Sequence, residues 1–128
     1  NGIIAWKDPD PHGVKAVAFA SWSTASAEWS VQLLPGQTSV VNTPNDYTFN
    51  HGWVGVQDRT SAVFDVQACN DAHLALSTEP GNGDVNTYEI VIGGWDGTKS
   101  AIRESKQGQT VVFVDTPDIL NCNVSRTF

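Results

Sequence analysis

The clearest indication of the fold is one run of sequence, Tyr88-Glu89-Ile90-Val91-Ile92-Gly93-Gly94-Trp95-Asp96-Gly97-Thr98-Lys99-Ser100-Ala101-Ile102-Arg103. β-Branched residues stand on both sides of a glycine-rich centre, a pattern typical of a β-hairpin. If Ile90 lies opposite Ile102 and both face the core, the register leaves a three-residue loop, 95–97. Such a loop is usually a type I turn closed by a residue in the left-handed conformation, and its last residue is Gly97. A two-residue turn would place the two isoleucines on opposite faces, so the sequence favours the three-residue loop.

This register also determines which side chains share the other face of the hairpin. Glu89 lies opposite Arg103, and Lys99 follows on the same side of the second strand. Alternation in the preceding strand turns His73 towards that face. We therefore expect these four residues on one sheet face, with Trp95 at its rim. The alternative is a solvent-exposed face whose Glu–Arg pair contributes about 0.2–1 kcal/mol.

Short strand-like segments recur about every ten residues along the chain, and turn formers separate them. No stretch is convincingly helical, and 98–107 is better explained as a strand. At 128 residues the chain fits one domain, residues 1–128. The sequence predicts an all-β fold, an antiparallel β-sandwich or jelly roll of the lectin-like kind. The predicted strands are Val14–Trp22, Trp29–Leu34, Ala62–Ala68, Ala72–Ser77, Tyr88–Gly93, Thr98–Arg103 and Thr110–Val114.

The charge balance excludes several classes of partner. Seven basic residues stand against 14 acidic ones, for a net charge of −7. Nucleic-acid binding needs Lys and Arg to neutralise phosphates, so we expect no nucleic acid as partner. No apolar run approaches the roughly 18 residues of a membrane span, so we expect no membrane insertion. Ca²⁺ remains possible, with Asp8 and Asp10 as the best candidate ligands, although the Asp-Pro-Asp-Pro stretch also fits a rigid turn.

Two cysteines, Cys69 and Cys122, predict one disulfide, formed within the chain or between two chains. Two separate thiols are the alternative. Asn123-Val124-Ser125 is a glycosylation sequon, and with the cysteines it favours a secreted, extracellular protein. The chain begins at Asn1 without Met, as expected after removal of a signal peptide or in an excised fragment.

Residues from about 40 to 128 resemble the farnesoic acid O-methyltransferase-type domain, an invertebrate module. The resemblance rests on Thr43–Tyr47, on Phe64–Leu76 and above all on Tyr88–Arg103. Residues 38–128 resemble the N-terminal part of that family, whereas residues 1–34 resemble its C-terminal part. The order of these two parts therefore indicates either a circular permutation of the family's domain or a segment that spans two tandem repeats of it.

The family name implies methyl transfer, but the sequence argues against an enzyme. Binding a methyl donor would need a glycine-rich turn between a strand and a helix, and the glycines here belong to hairpins. His73 and Asp71 lie two residues apart on one face, with Ser77 nearby, yet no nucleophile elbow accompanies them. A surface histidine explains His73 better than a hydrolase does.

Binding therefore remains the expected function. An exposed Trp can stack on the apolar face of a sugar, and charged side chains can bind its hydroxyls. We expect a lectin that needs no cofactor, apart from possible Ca²⁺, and that gains avidity as a homo-oligomer. The alternative is a structural or adhesive module that binds sister domains and no sugar. The candidate ligand-binding residues are Trp95, Glu89, Arg103, His73, Lys99 and Asp96.

Overall fold

The structure is a computed structural model that describes residues 16–34, 37–55, 62–78 and 87–128. These residues form nine β-strands and one short helical turn. The elements are β1 (Ala16–Leu34), β2 (Gln37–Asp46), β3 (Trp53–Gly55), β4 (Val63–Gln67), β5 (Ala72–Ser77), β6 (Thr87–Gly93), α1 (Gly94–Gly97), β7 (Lys99–Glu104), β8 (Gln109–Asp115) and β9 (Arg126–Thr127).

All strand pairs are antiparallel, and the strands form a single curled sheet. Its main path runs β8-β7-β6-β5-β1-β4-β9, while β2 and β3 also pair with β1. The predicted all-β, antiparallel fold class is thus confirmed. The segment 98–107 contains strand β7 and no helix, as expected.

Strand β1 joins the two halves of the sheet. Its first part pairs with β5 and its last part pairs with β4. In between, the pairing with β2 is irregular near Ser21 and Ser26, and Ser23 has a positive φ of 56°. The rings of Phe19 and Trp29 lie 4.5 Å apart, whereas ten residues of straight strand would span roughly 33 Å. The strand therefore bends sharply, and its two parts face each other across the core as in a sandwich.

The main core lies inside this curl. Phe19, Trp29 and Phe64 pack there with the apolar face of the β5–β6 sheet, and Leu120 closes one end. Each of these side chains is nearly or completely buried. A second, smaller cluster lies on the other face of the sheet, where Phe49 packs against alanines of β1 and β5.

The predicted register of the β6–β7 hairpin is confirmed. Ile90 pairs with Ile102, and Glu89 pairs with Arg103. The predicted three-residue loop is wrong, because Gly94 bridges to Lys99 and the register shifts by one residue. The loop is a left-handed turn instead, in which the amide of residue 98 donates to the carbonyl of residue 94. Gly97 has the expected positive φ, 79°.

Three further expectations need correction. Segments 14–22 and 29–34 are not separate strands: from residue 16 onwards they belong to the single bent strand β1. Residues 42–46, which contain turn formers, lie in β2 because their pairing with β1 outweighs local preference. The short strands β3 and β9 carry no clear alternating pattern and were not predicted.

Cys69 and Cys122 form a disulfide within the chain, as one of the two predicted pairings required. A circular permutation predicts that the first six residues form a strand beside residues 120–128, but residues 1–15 lie outside the described ranges.

Candidate functional site

An open cleft of about 520 Å³ lies over the polar face of the β5–β6–β7 sheet. The bend of β1, the end of β2, the α1 turn and the loop after β7 form its walls. Because these elements come from distant parts of the chain, the cleft depends on the complete fold. Its lining residues are Trp22, Asp46, Tyr47, Asp71, His73, Val91, Trp95, Arg103, Lys106 and Gln107.

The Glu89 carboxylate organises the base of the cleft. It is fully buried, and it accepts a hydrogen bond from the Arg103 guanidinium at 3.1 Å and one from the Gln107 backbone amide at 3.1 Å. Its other oxygen accepts a short hydrogen bond from the Tyr47 hydroxyl. A buried carboxylate is tolerated only when its lone pairs are satisfied in this way. Glu89 therefore fixes the positions of three groups that line the cleft.

His73 lies between two carboxylates and is also buried. Its Nδ1 is 3.3 Å from Glu89 Oε2, and its Nε2 is 3.7 Å from Asp71 Oδ1. Neither contact has hydrogen-bond geometry, so the attraction is one between charges. The Tyr47 ring covers the imidazole with a centroid distance of 4.3 Å.

These contacts change the titration of the site. Burial disfavours the charged imidazole, but Asp71 and Glu89 outweigh it and raise the pKa of His73 above 6.5. Burial likewise disfavours the charged form of Glu89, but His73 and Tyr47 outweigh it and lower its pKa below 4.5. Burial and the Glu89 carboxylate together raise the pKa of Tyr47. The base of the cleft is thus an ion pair beneath a neutral phenol at moderately acidic pH.

Two tryptophans stand at the edges of the cleft. Trp95 is 42% exposed, but the Arg103 guanidinium lies 5.2 Å from its ring centroid and Phe113 packs against it edge to face. Trp22 is 49% exposed, and among the described residues its aromatic contact is with Tyr47, at a centroid distance of 6.3 Å. Trp22 therefore offers the freer aromatic surface.

Backbone geometry places both the Trp22 ring and the Asp71 carboxylate at the cleft. The Trp22 amide donates to the Asp71 carbonyl, and the Asp71 amide donates to the Gly93 carbonyl. Asp71 adopts φ 47°, a left-handed conformation that Asp tolerates better than most residues. A side chain at position 94 would come within 3.2 Å of the Asp71 carboxylate, so Gly94 leaves it room.

The structure brings together only some of the predicted site residues. His73, Trp95 and Arg103 line the cleft, and Glu89 lies beneath it. Lys99 lies apart, 3.9 Å from Asp115 and over the Phe113 ring.

Asp96 is exposed in α1 and does not line the cleft. The proposed calcium ligands Asp8 and Asp10 lie outside the described residues. Within the described ranges, no group of three His, Cys, Asp or Glu side chains is arranged to hold a metal ion.

Seven of the ten residues that line the cleft are absent from the predicted ligand-binding set; Asp71 was considered only as a hydrolytic partner of His73, and Val91 was not a candidate. Tyr47 belongs to the stretch that carried the family resemblance, but its position gave no sign that it would cover a strand 26 residues away. Trp22 was predicted to end a strand, which is compatible with a rim position. The other three have no distinguishing local pattern; they are Asp46, Lys106 and Gln107.

The described part of the chain contains no helix with the length and apolar character of a membrane span. The intrachain disulfide is compatible with an extracellular protein.

Comparison with protein families gives one match. The model described as farnesoic acid O-methyl transferase matches residues 42–128, which is about two thirds of the chain. Comparisons with curated proteins and with solved structures gave no match.

Proposed function

The chain belongs to the farnesoic acid O-methyl transferase family, and we propose that it uses the cleft to bind a carbohydrate without transforming it. The observation that carries this proposal is the composition of the cleft. An exposed indole stands beside hydrogen-bonding groups that a buried carboxylate holds in place. Sugars present the same two features, an apolar face of C–H bonds and a fringe of hydroxyls.

Trp22 supplies the stacking surface in this proposal. Its ring is half exposed and carries no cation from the described residues, whereas the Arg103 guanidinium already lies over the ring of Trp95. Aromatic stacking contributes about 1–3 kcal/mol per ring in nucleic-acid complexes, and we expect a similar range here. Trp95 then serves mainly to hold the guanidinium.

The polar groups around the base supply the hydrogen bonds. Both ring nitrogens of His73 lack a hydrogen-bond partner, and 3.7 Å separates Nε2 from Asp71 Oδ1. A sugar hydroxyl could donate to that carboxylate and accept from the imidazole. Arg103 uses one N–H on Glu89 and has further donors to offer.

Methyl transfer is the activity that the family description suggests. A methyl donor would need a glycine-rich turn leading into a helix. Here Gly93 and Gly94 lead into a single left-handed turn and back into strand β7. This geometry favours a non-catalytic role.

We further propose that the protein is secreted and acts as a multivalent assembly. A shallow cleft buries little of a sugar, so one site binds weakly and several sites are needed for avidity. Calcium is not required by the cleft as proposed, and the Asp8–Asp10 stretch remains the candidate if chelation reduces binding.

The proposal is tested by screening the purified protein on a glycan array and then measuring affinity for the best ligand by calorimetry. Trp22→Ala should weaken binding by about 1–3 kcal/mol. Val40→Ala removes another exposed apolar side chain, one that does not line the cleft, and should leave binding unchanged. Equal affinities for the two variants would place the site elsewhere, and an array without any ligand would contradict the function.

A second candidate function is an adhesive module that binds another copy of itself. Strand β8 is at one end of the sheet path, and within the described ranges it pairs only with β7. Val111, Phe113 and Val114 are exposed on it. Antiparallel pairing of two β8 strands about residue 112 would bring only uncharged residues together at the centre. If Val112→Pro makes a dimer monomeric while sugar binding is absent, this candidate is preferred.

A further inference from the structure

Two carboxylates line the cleft, and each lies beside a histidine. Asp46 is 3.2 Å from His51 Nε2, and it also accepts a hydrogen bond from the Thr48 hydroxyl. Asp71 is 3.7 Å from His73 Nε2. Each of these two acids therefore already faces a basic side chain of the protein.

The third carboxylate, Glu89, neutralises Arg103. The two groups are 3.1 Å apart, and the carboxylate is completely buried. The guanidinium retains free N–H donors, but much of its charge is balanced from below.

Lys106 is the exception among the charged residues that line the cleft. Its ammonium lies 4.7 Å from the centroid of the Tyr47 ring. Throughout the described ranges, no carboxylate lies within ion-pair distance of that ammonium. A lysine without a carboxylate partner among the described residues is notable in a chain whose net charge is −7. It gives the cleft a positive charge that no carboxylate of the described residues neutralises.

We propose that the cleft accepts a saccharide that carries an anionic substituent, a carboxylate or a sulfate, and that Lys106 binds this substituent. This inference rests on the proposed function and names its ligand class. Hydrogen bonds between an ammonium and an anionic oxygen are roughly twice as strong as neutral ones. Lysine acts as a point charge and suits either kind of anion. The Tyr47 ring attracts the Lys106 ammonium by a cation–π contact, which carries no negative charge and so leaves the net charge of the lysine in place.

The test compares acidic sugars with neutral sugars of the same shape. Methyl β-glucuronide and methyl β-galacturonide are titrated against their methyl esters and against the parent methyl glycosides, and the corresponding 6-sulfates form a separate arm. We expect each acid to bind between about five- and tenfold more tightly than its ester. The sulfate arm shows whether the site prefers one anion or accepts both.

Matched lysine variants locate the effect. Lys106→Ala should abolish the preference for the acid while leaving affinity for the neutral glycoside, and Lys106→Arg should retain it. Lys99→Ala, which removes a lysine outside the cleft, should behave as wild type.

Each outcome bears on a different claim. Neutral sugars that bind as well as acidic ones would overturn this inference and leave the proposed function intact. A preference that survives in Lys106→Ala would overturn the assignment of that residue. Failure of all these sugars to bind a folded sample that binds another glycan on the array would overturn this inference alone, whereas an array without any ligand would overturn both proposals.

Discussion

Each face of the β5–β6–β7 sheet contains a buried side chain, but the two are buried for different reasons. On one face Leu74 is buried, because the curled sheet brings aromatic side chains of β1 and β4 into the same core. On the other face Glu89 is fully buried at the base of the open cleft, beneath a thin cover that includes Tyr47 and the loop after β7. Apolar packing holds Leu74 in place, whereas hydrogen bonds and charge hold Glu89.

Alternation along a strand therefore predicts which face of the sheet a side chain occupies, but not whether that face is exposed to solvent or covered by other parts of the chain. An apolar face tolerates small losses of contact, since its energy is spread over many atoms. A buried ion pair concentrates its energy in a few contacts, so a single change should have a larger effect. The following experiments test that contrast.

The largest effect is expected for Glu89→Gln. The change preserves shape but leaves the charges of His73 and Arg103 buried without their carboxylate, which should reduce the free energy of unfolding by about 3–5 kcal/mol. Urea denaturation followed by circular dichroism measures it. Glu104→Gln alters an exposed carboxylate of the neighbouring strand and should change stability by less than about 0.5 kcal/mol. Similar values for the two variants would remove the contrast between the faces.

The disulfide tests the cover of the apolar face. It joins residues separated by 53 positions and lies next to Leu120, which closes the core. Opening it in Cys69→Ser/Cys122→Ser should reduce stability by about 4 kcal/mol, because the unfolded chain gains freedom. Thermal unfolding with and without reductant checks this value. A wild-type protein whose melting temperature is unchanged by reduction would contradict it.

Tyr47→Phe tests the cover of the polar face directly. It removes the hydroxyl that donates to Glu89 and keeps the ring over His73. A buried acceptor without its donor costs about 1–3 kcal/mol. The free energy of unfolding measured at pH 6 checks this expectation, and a neutral result would show that water replaces the hydroxyl.

The smallest effect is the pH dependence of stability. The raised pKa of His73 stabilises the fold below about pH 6.5, and this contribution is lost as pH rises through the higher folded value. The lowered pKa of Glu89 stabilises the fold above about pH 4.5, and this contribution is lost as pH falls through the lower folded value. Both contributions are present between these limits. In a series of unfolding curves, His73→Gln should flatten the decline above pH 6.5, and an unaltered decline would assign it to other groups.

Contacts between residues that are close together in the sequence could be predicted from the sequence. The pairing of Glu89 with Arg103 follows from the alternation of isoleucines around a glycine-rich loop, and both strands lie within 18 residues. The left-handed turn at 94–97 escaped prediction because Trp95 and Asp96 adopt positive φ values, which non-glycine residues rarely do.

The cover of the site could not be predicted in the same way. Tyr47 reaches Glu89 across 42 residues, and no period in the sequence encodes that contact. Trp22 reaches the cleft only because β1 bends beside it. The fold class and one hairpin were therefore accessible from sequence, whereas the cleft required the tertiary structure.

The bent strand β1 also has a consequence for the order of folding. Ala20 pairs with His73, so the first part of β1 must wait for a partner that is synthesised 53 residues later. At about 5–20 residues per second, the interval on the ribosome is roughly 3–10 seconds. During that time an apolar strand that includes Phe19 and Trp29 is exposed without its final neighbours, and such segments are prone to aggregate. Neither half of the sheet is complete without this strand, since its two parts pair with β5 and with β4. The chain should thus fold late and all at once, and its production in cells should depend on chaperones that shield β1 until β5 emerges.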